Sequence, residues 1–191
     1  MRRIRNKLIA GGAAVLMGAA GLAALTGAAA PTIEVVKLSS AEAWALQQRV
    51  DQQLKNSVDG KQIGPNQVSY YDGTIIVTLV LPGEESARAV NNDFEVQASL
   101  CTTLGHACIY DLTNFAGDNA LRVDKVNCEE INLNSIGWLN RVSAIHNNQT
   151  TNTQTLLLDH NRNILNANRA PSKINDLGVE SGNDADYWRV C

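Results

Sequence analysis

The sequence predicts a mainly β protein: a β-sandwich built from two copies of one strand pattern, preceded by a small helix plus β-hairpin segment. Three observations carry this reading. Residues 67–71 and 74–81 are rich in β-branched and aromatic side chains and flank Asp72-Gly73, a pair suited to a tight hairpin because glycine tolerates positive φ. Residues 121–126 alternate apolar and charged side chains with the two-residue period of a half-buried strand. Leu158-Asp-His-Asn-Arg-Asn-Ile-Leu-Asn166 parallels Tyr110-Asp-Leu-Thr-Asn-Phe-Ala-Gly117 with one extra residue, so the pattern occurs twice.

Taken in order, residues 1–30 read as a secretory signal peptide. Arg2, Arg3, Arg5 and Lys7 form a basic head, residues 8–25 are uncharged, and Thr26-Gly-Ala-Ala-Ala30 offers small residues for cleavage. Pro31 hinders a cut directly before it, which places cleavage after Ala28 or Ala29. The rival reading is an uncleaved anchor, since the run approaches spanning length, but its Ala/Gly content makes it weakly apolar. The expected location is therefore secreted and extracellular. The leader carries four basic residues and no acid, so the remaining chain holds 12 basic residues against 19 acidic ones, a formal charge of −7. That balance argues against nucleic acid or an anionic membrane as partner, because both recruit clustered Lys and Arg. The sequence does not set the oligomeric state.

Residues 31–83 form the helix and β-hairpin leader segment. Ser39 and Glu42 have the spacing of a capping box. A helix is predicted from there to about Val58, with Ala43, Leu46, Val50, Leu54 and Val58 as its apolar stripe and Trp44 widening that face. Gly60 is the expected stop, and Gly64-Pro65-Asn66 a turn. The hairpin follows, ended by Pro82-Gly83. An isolated hairpin is marginal in water, so it needs the helix or the domain that follows to cover its apolar face. Residues 84–98 are polar and alanine-rich and read as a partly helical linker. In the last part, 99–191, a strand is expected at 107–111, a folded hairpin at 113–117, and a further strand at 141–146 with Val142 and Ala144 on one face. The second copy begins near Leu156, and residues 182–190 parallel 137–145.

Cys101, Cys108, Cys128 and Cys191 in an exported chain read as two disulfides, for which three pairings exist. Cys101 and Cys108 enclose six residues, enough for a local loop through Gly105. A zinc site of Cys101, Cys108 and His106 is the alternative, disfavoured in an oxidising compartment.

Catalytic patterns are missing. The three histidines, His106, His146 and His160, form no His-Glu-x-x-His motif. No Gly-x-Ser-x-Gly elbow or glycine-rich phosphate loop is present. Glu129-Glu130 reads as a solvated surface pair rather than a glycosidase pair. The chain is expected not to be an enzyme. Residues 159–163 imitate the opening of a calcium loop, but Ile164 replaces the needed glycine and Ala170 the bidentate glutamate, leaving a polar turn. Asn148-Gln-Thr150 is a glycosylation sequon, relevant only in a eukaryotic secretory pathway.

Tyr110-Asp-x-x-Asn-Phe-x-Gly117, the Cys101–Cys108 loop before it and the Trp138-Leu-Asn-Arg-Val-Ser143 turn after it resemble the signature of βγ-crystallin Greek-key motifs. Their order is similar to that in βγ-crystallin-like secreted bacterial proteins grouped with the Streptomyces metalloproteinase inhibitor. Gln62-Ile-Gly-Pro-Asn66 and Leu81-Pro-Gly-Glu84 also resemble the leader of such proteins. The resemblance implies two Greek keys packed as one sandwich, and Cys101–Cys108 with Cys128–Cys191 as the preferred pairing; Cys101–Cys128 with Cys108–Cys191 stays open. It raises calcium as a cofactor, through turns of the form Asn/Asp-Asn/Asp-x-x-Ser/Thr-Ser. In the first copy Asn140 and Ser143 match, but Leu139 and Ala144 do not. In the second, Asn183 and Asp184 match, while Tyr187 and Trp188 replace the hydroxyl residues. Both turns are half erased, so no cofactor is expected. The resemblance implies a secreted peptidase inhibitor directed at metallopeptidases, with an extracellular peptidase as partner. The alternatives are a non-inhibitory structural or interaction protein of the cell exterior, or a secreted antimicrobial protein on the same fold.

Overall fold

Helix α1, Ser40–Lys55, begins with the capping box that the sequence contains. The Glu42 carboxylate accepts from the Ser39 backbone N–H at 2.8 Å, and the Ser39 hydroxyl accepts from the Glu42 N–H at 3.3 Å. This computed structural model describes residues 35–92, 101, 104–115, 119–123 and 129–191, with only the backbone path for 119–123, 179 and 180. The signal peptide, Cys128 and residues 93–98 of the linker lie outside the described residues.

α1 stops at Asn56, short of the expected Val58. Val58 is therefore past the last turn and 86% exposed rather than part of the stripe. Trp44 does not widen the buried face: it is two residues from Leu46, about 200° around the helix, and is 67% exposed. Leu46, Val50 and Gln53 are the buried side chains. Gln53 is inside because its amide has partners there, donating to Tyr70 Oη at 2.9 Å and to the Ile136 carbonyl at 2.7 Å.

Among the described residues eleven strands follow, all paired antiparallel. They are β1 Lys61–Gly64, β2 Gln67–Tyr70, β3 Ile75–Leu79, β4 His106–Tyr110, β5 Asn119–Val123, β6 Glu129–Asn132, β7 Ala144–Asn148, β8 Gln154–Leu158, β9 Ile164–Arg169, β10 Ser172–Ile174 and β11 Tyr187–Val190. A short helix, α2 Gly178–Asn183, precedes the last strand. One sheet has the order β1-β2-β3-β5-β4-β7-β10, the other β6-β11-β8-β9.

This order defines the architecture. The first copy is β4 to β7, yet its third strand, β6, lies in the sheet of the second copy. The third strand of the second copy, β10, lies beside β7 in the sheet of the first. Two Greek keys that exchange a strand in this way cannot bury their faces separately, so they form one sandwich. Trp138 and Trp188 are fully buried in its core, with Ile109, Leu133, Ile145 and Leu157.

The leader hairpin finds its cover in the same sheet. β3 pairs with β5 over five residues, from Ile75↔Val123 to Leu79↔Asn119, and α1 packs on β1, β2 and β3. The expected two-residue Asp72-Gly73 turn is a four-residue connection, because Tyr70 pairs with Ile75. Tyr71, Asp72 and Gly73 all carry positive φ, at 48°, 52° and 91°. Residues 84–92 are not helical. Asn66, fully buried, donates from its amide to the carbonyls of Leu79 (2.7 Å) and Arg88 (2.8 Å), and its Oδ1 accepts from Val90 N–H at 3.3 Å. These bonds strap the segment to the sheet with Ala89 and Val90 buried.

Candidate functional site

The two turns flagged for calcium are best compared by their backbone bonds. Ser143 N–H donates to the Tyr110 carbonyl at 2.7 Å, and Asp186 N–H donates to that of Leu158 at 2.9 Å. The Ser143 carbonyl accepts from Leu177 N–H and the Asp186 carbonyl from Leu133 N–H, each at 2.9 Å. Ser143 therefore corresponds to Asp186, not to Tyr187. The second turn is Gly182-Asn183-x-x-Asp186, one residue earlier than the sequence comparison placed it. Spacing alone could not reveal this, because the loops between strands differ in length.

With this register, Asp111 corresponds to Asp159 and Arg141 to Asp184. In the first copy the Arg141 guanidinium donates to Asp111 Oδ2 at 2.8 Å and lies 5.4 Å from the Trp138 ring centroid. A fixed cation already faces the carboxylate there. The Ser143 hydroxyl is also committed, donating to the Asp111 carbonyl at 3.0 Å. In the second copy an open cavity of ≈ 390 Å³ is lined by Asn140, Asp159, His160, Asp184 and Asp186. It gathers Asn140 and Asp184 but not Ser143. Asp159 Oδ1 accepts from the N–H groups of Asn161 and Asn163, and Oδ2 from Asn163 Nδ2, all at 2.8 Å. The Asn163 bond above all holds its carboxyl below the usual range. Calcium needs about six to eight converging oxygens. Among the described residues no group of three His, Cys, Asp or Glu side chains is placed to hold a metal ion.

Cys101 and Cys108 are joined by a disulfide, which removes both thiolates from any zinc site. Cys191 is disulfide-bonded as well. The sequon is engaged too: Asn148 Nδ2 donates to the Cys101 carbonyl at 3.1 Å. Glu130 of the Glu129-Glu130 pair is held by Arg189 at 2.5 Å and Arg162 at 3.0 Å.

A second surface, unforeseen from sequence, centres on the strained connection after β2. Tyr71 and Asp72 line two open cavities at once. One, ≈ 430 Å³, continues over Thr74, Ile75, Glu129, Glu130 and Ile131; the other, ≈ 520 Å³, over Val58, Asp59, Gly60, Lys61 and Ser69. Tyr71 is 47% exposed, yet its hydroxyl is fixed 2.7 Å from Ser135 Oγ. The only sequence signal was the Asp-Gly pair, which marked a turn but not the left-handed tyrosine before it.

The strand order β5-β4-β7-β10 facing β6-β11-β8-β9 decides the fold. It is a βγ-crystallin-type Greek-key sandwich. Solved structures with a related fold include one described as "Evolution of the eye lens beta-gamma-crystallin domain fold", 21% identical over 60% of this chain and 96% of that chain, with a TM-score of 0.36. Another is the NMR structure of spherulin 3A from Physarum polycephalum, 27% identical over 46% of this chain and 82% of that chain, with a TM-score of 0.33. No protein-family model matches the sequence, and no curated protein does.

Proposed function

We propose that this protein is exported and works by binding rather than by catalysis, docking an extracellular protein partner on the surface around Tyr71. The single observation behind this is the connection itself. Three consecutive left-handed residues, two of them not glycine, hold an exposed aromatic ring where two cavities meet. Non-glycine residues adopt this conformation at a cost, and it persists only where the surroundings enforce it. Here the enforcement is the Tyr71–Ser135 bond and the paired strands β2 and β3 on either side. A rigid aromatic anchor loses little entropy on binding, which is what a tight-binding surface requires. The resemblance of residues 101–144 to the inhibitor-type proteins gives the partner its class, an extracellular peptidase, with metallopeptidases first.

The test is a titration of the purified, oxidised protein against a panel of secreted metallo- and serine peptidases, following residual activity. Stoichiometric loss of activity in one class, weakened by Tyr71→Ala, is the expected result. Full activity across the panel, with the protein intact afterwards, would leave a structural or interaction role of the cell exterior.

A further inference from the structure

We infer that the groove around Tyr71 takes an extended, positively charged peptide segment, which adds to the free edge of β6. This deepens the binding reading above and rests on it for the choice of surface.

The backbone gives the first reason. Among the described residues β6 is the outer strand of its sheet and pairs only with β11. Successive strand residues point to opposite faces. Glu129, Glu130 and Ile131 nevertheless all line the same cavity, which consecutive residues do when the cavity runs along the strand's edge. Its outward backbone groups are then a template for another strand.

Charge gives the second reason. The two cavities present Asp59, Asp72, Glu129 and Glu130 against a single cation, Lys61. Glu130 is already paired with both Arg162 and Arg189 and does not count toward the groove's negative charge. Asp59, Asp72 and Glu129 have no ion pair among the described residues. Carboxylates along a groove concentrate the field there and attract cations. The exposed Tyr71 ring adds a face on which an Arg guanidinium can stack, while the exposed Val58 supplies apolar contact for an extended chain. An acidic segment would meet like charge, so the occupant is a Lys/Arg segment with interspersed apolar residues.

The test uses the full, oxidised protein and fluorescein-labelled peptides. One alternates arginine and valine, one alternates glutamate and valine, and a third is the arginine peptide N-methylated at alternate amides. Fluorescence anisotropy should show binding of the arginine peptide, weakening with salt. Binding should fall about tenfold in the Asp72→Asn, Glu129→Gln double variant and in the N-methylated peptide. Asparagine tolerates the left-handed conformation of Asp72, so the variant keeps the turn, which its melting temperature checks. Equal binding of the glutamate peptide, or arginine-peptide binding unchanged in the double variant, overturns the proposal. Peptidase inhibition without peptide binding overturns the groove alone. Peptide binding without inhibition supports the groove and removes the peptidase reading.

Discussion

Glu130 shows how single residues fasten the two ends of the second copy together. It lies on β6 and receives Arg189 from the adjacent β11 and Arg162 from the turn before β9; the Arg162 guanidinium also sits 4.7 Å from the Tyr187 ring centroid. The Arg189 hydrogen bond above all, and then Arg162, hold the Glu130 carboxyl below its ordinary 4.5. Because the folded value is depressed, the stabilisation is present above pH 4.5 and is lost as the pH falls through the folded value. Glu130→Gln should therefore lower the melting temperature at neutral pH, by the equivalent of about 1 kcal/mol for such partly exposed pairs. The difference from the parent should vanish in strong acid, which melts across an acid pH series will check. Tyr110 acts at the other extreme. Burial pushes its hydroxyl from 10.0 up to about 12. The folded state then keeps a proton that the unfolded chain releases, so stability present below pH 10 is lost as the pH rises toward 12. Tyr110→Phe should move the midpoint of alkaline unfolding upward, as followed by circular dichroism. Neither role was legible beforehand. The sequence marks Tyr110 as part of a motif and Glu130 as a surface acid, but their partners come from 32 and 59 positions away in the case of Glu130.

Elements were legible where a local rule governs them. The Ser39–Glu42 box set the start of α1, and the Asp72-Gly73 pair correctly joined β2 to β3. Elements failed where tertiary contact decides. β1 is three exposed residues and a glycine, which carries no alternation to detect, and it exists because β2 offers it an edge. β10, Ser172–Ile174, is equally silent and is placed by the strand exchange. The slip in the second calcium-type turn has the same origin. Gly182 is the element-scale consequence of the corrected register. A Cβ there would meet the Val142 carbonyl oxygen at 2.0 Å, backbone that cannot swing aside as a side chain can. Val142 sits in the first turn and Gly182 in the second, so the glycine lets the two pseudo-equivalent turns touch. Gly182→Ala should cost about 3 kcal/mol, the upper part of the range for overpacking. A chemical denaturation curve with unchanged slope and a lower midpoint is the expected record. A variant as stable as the parent would mean that the turns separate at no cost.

At the scale of the molecule, the leader and the sandwich share a sheet, and this makes a sharp expectation. β3 is the third strand of seven and β5 lies beside it. Val50, Val68, Tyr70, Val77 and Leu79 from the leader join the same core cluster as Ile109, Trp138 and Trp188. Each such side chain is worth about 1.5–3 kcal/mol when fully buried, and a domain's whole net stability is about 5–15 kcal/mol. Losing five of them exceeds what the sandwich can spare. Removing the leader would also strip β5 of its outer partner and leave a long strand edge open to other chains. Chain 99–191 alone, with its disulfides formed, is therefore expected to lack a cooperative melt and to associate at micromolar concentration. The full chain should unfold in one transition seen equally by far-ultraviolet circular dichroism and tryptophan fluorescence. Since Trp44 reports on the leader and Trp138 and Trp188 on the sandwich, Trp44→Phe separates the two signals. Coincident transitions in that variant and in the parent would mean that the helix and hairpin are part of the fold. A sandwich fragment that melts cooperatively near the parent's temperature would make the leader an accessory, and β3 a strand that β5 can do without.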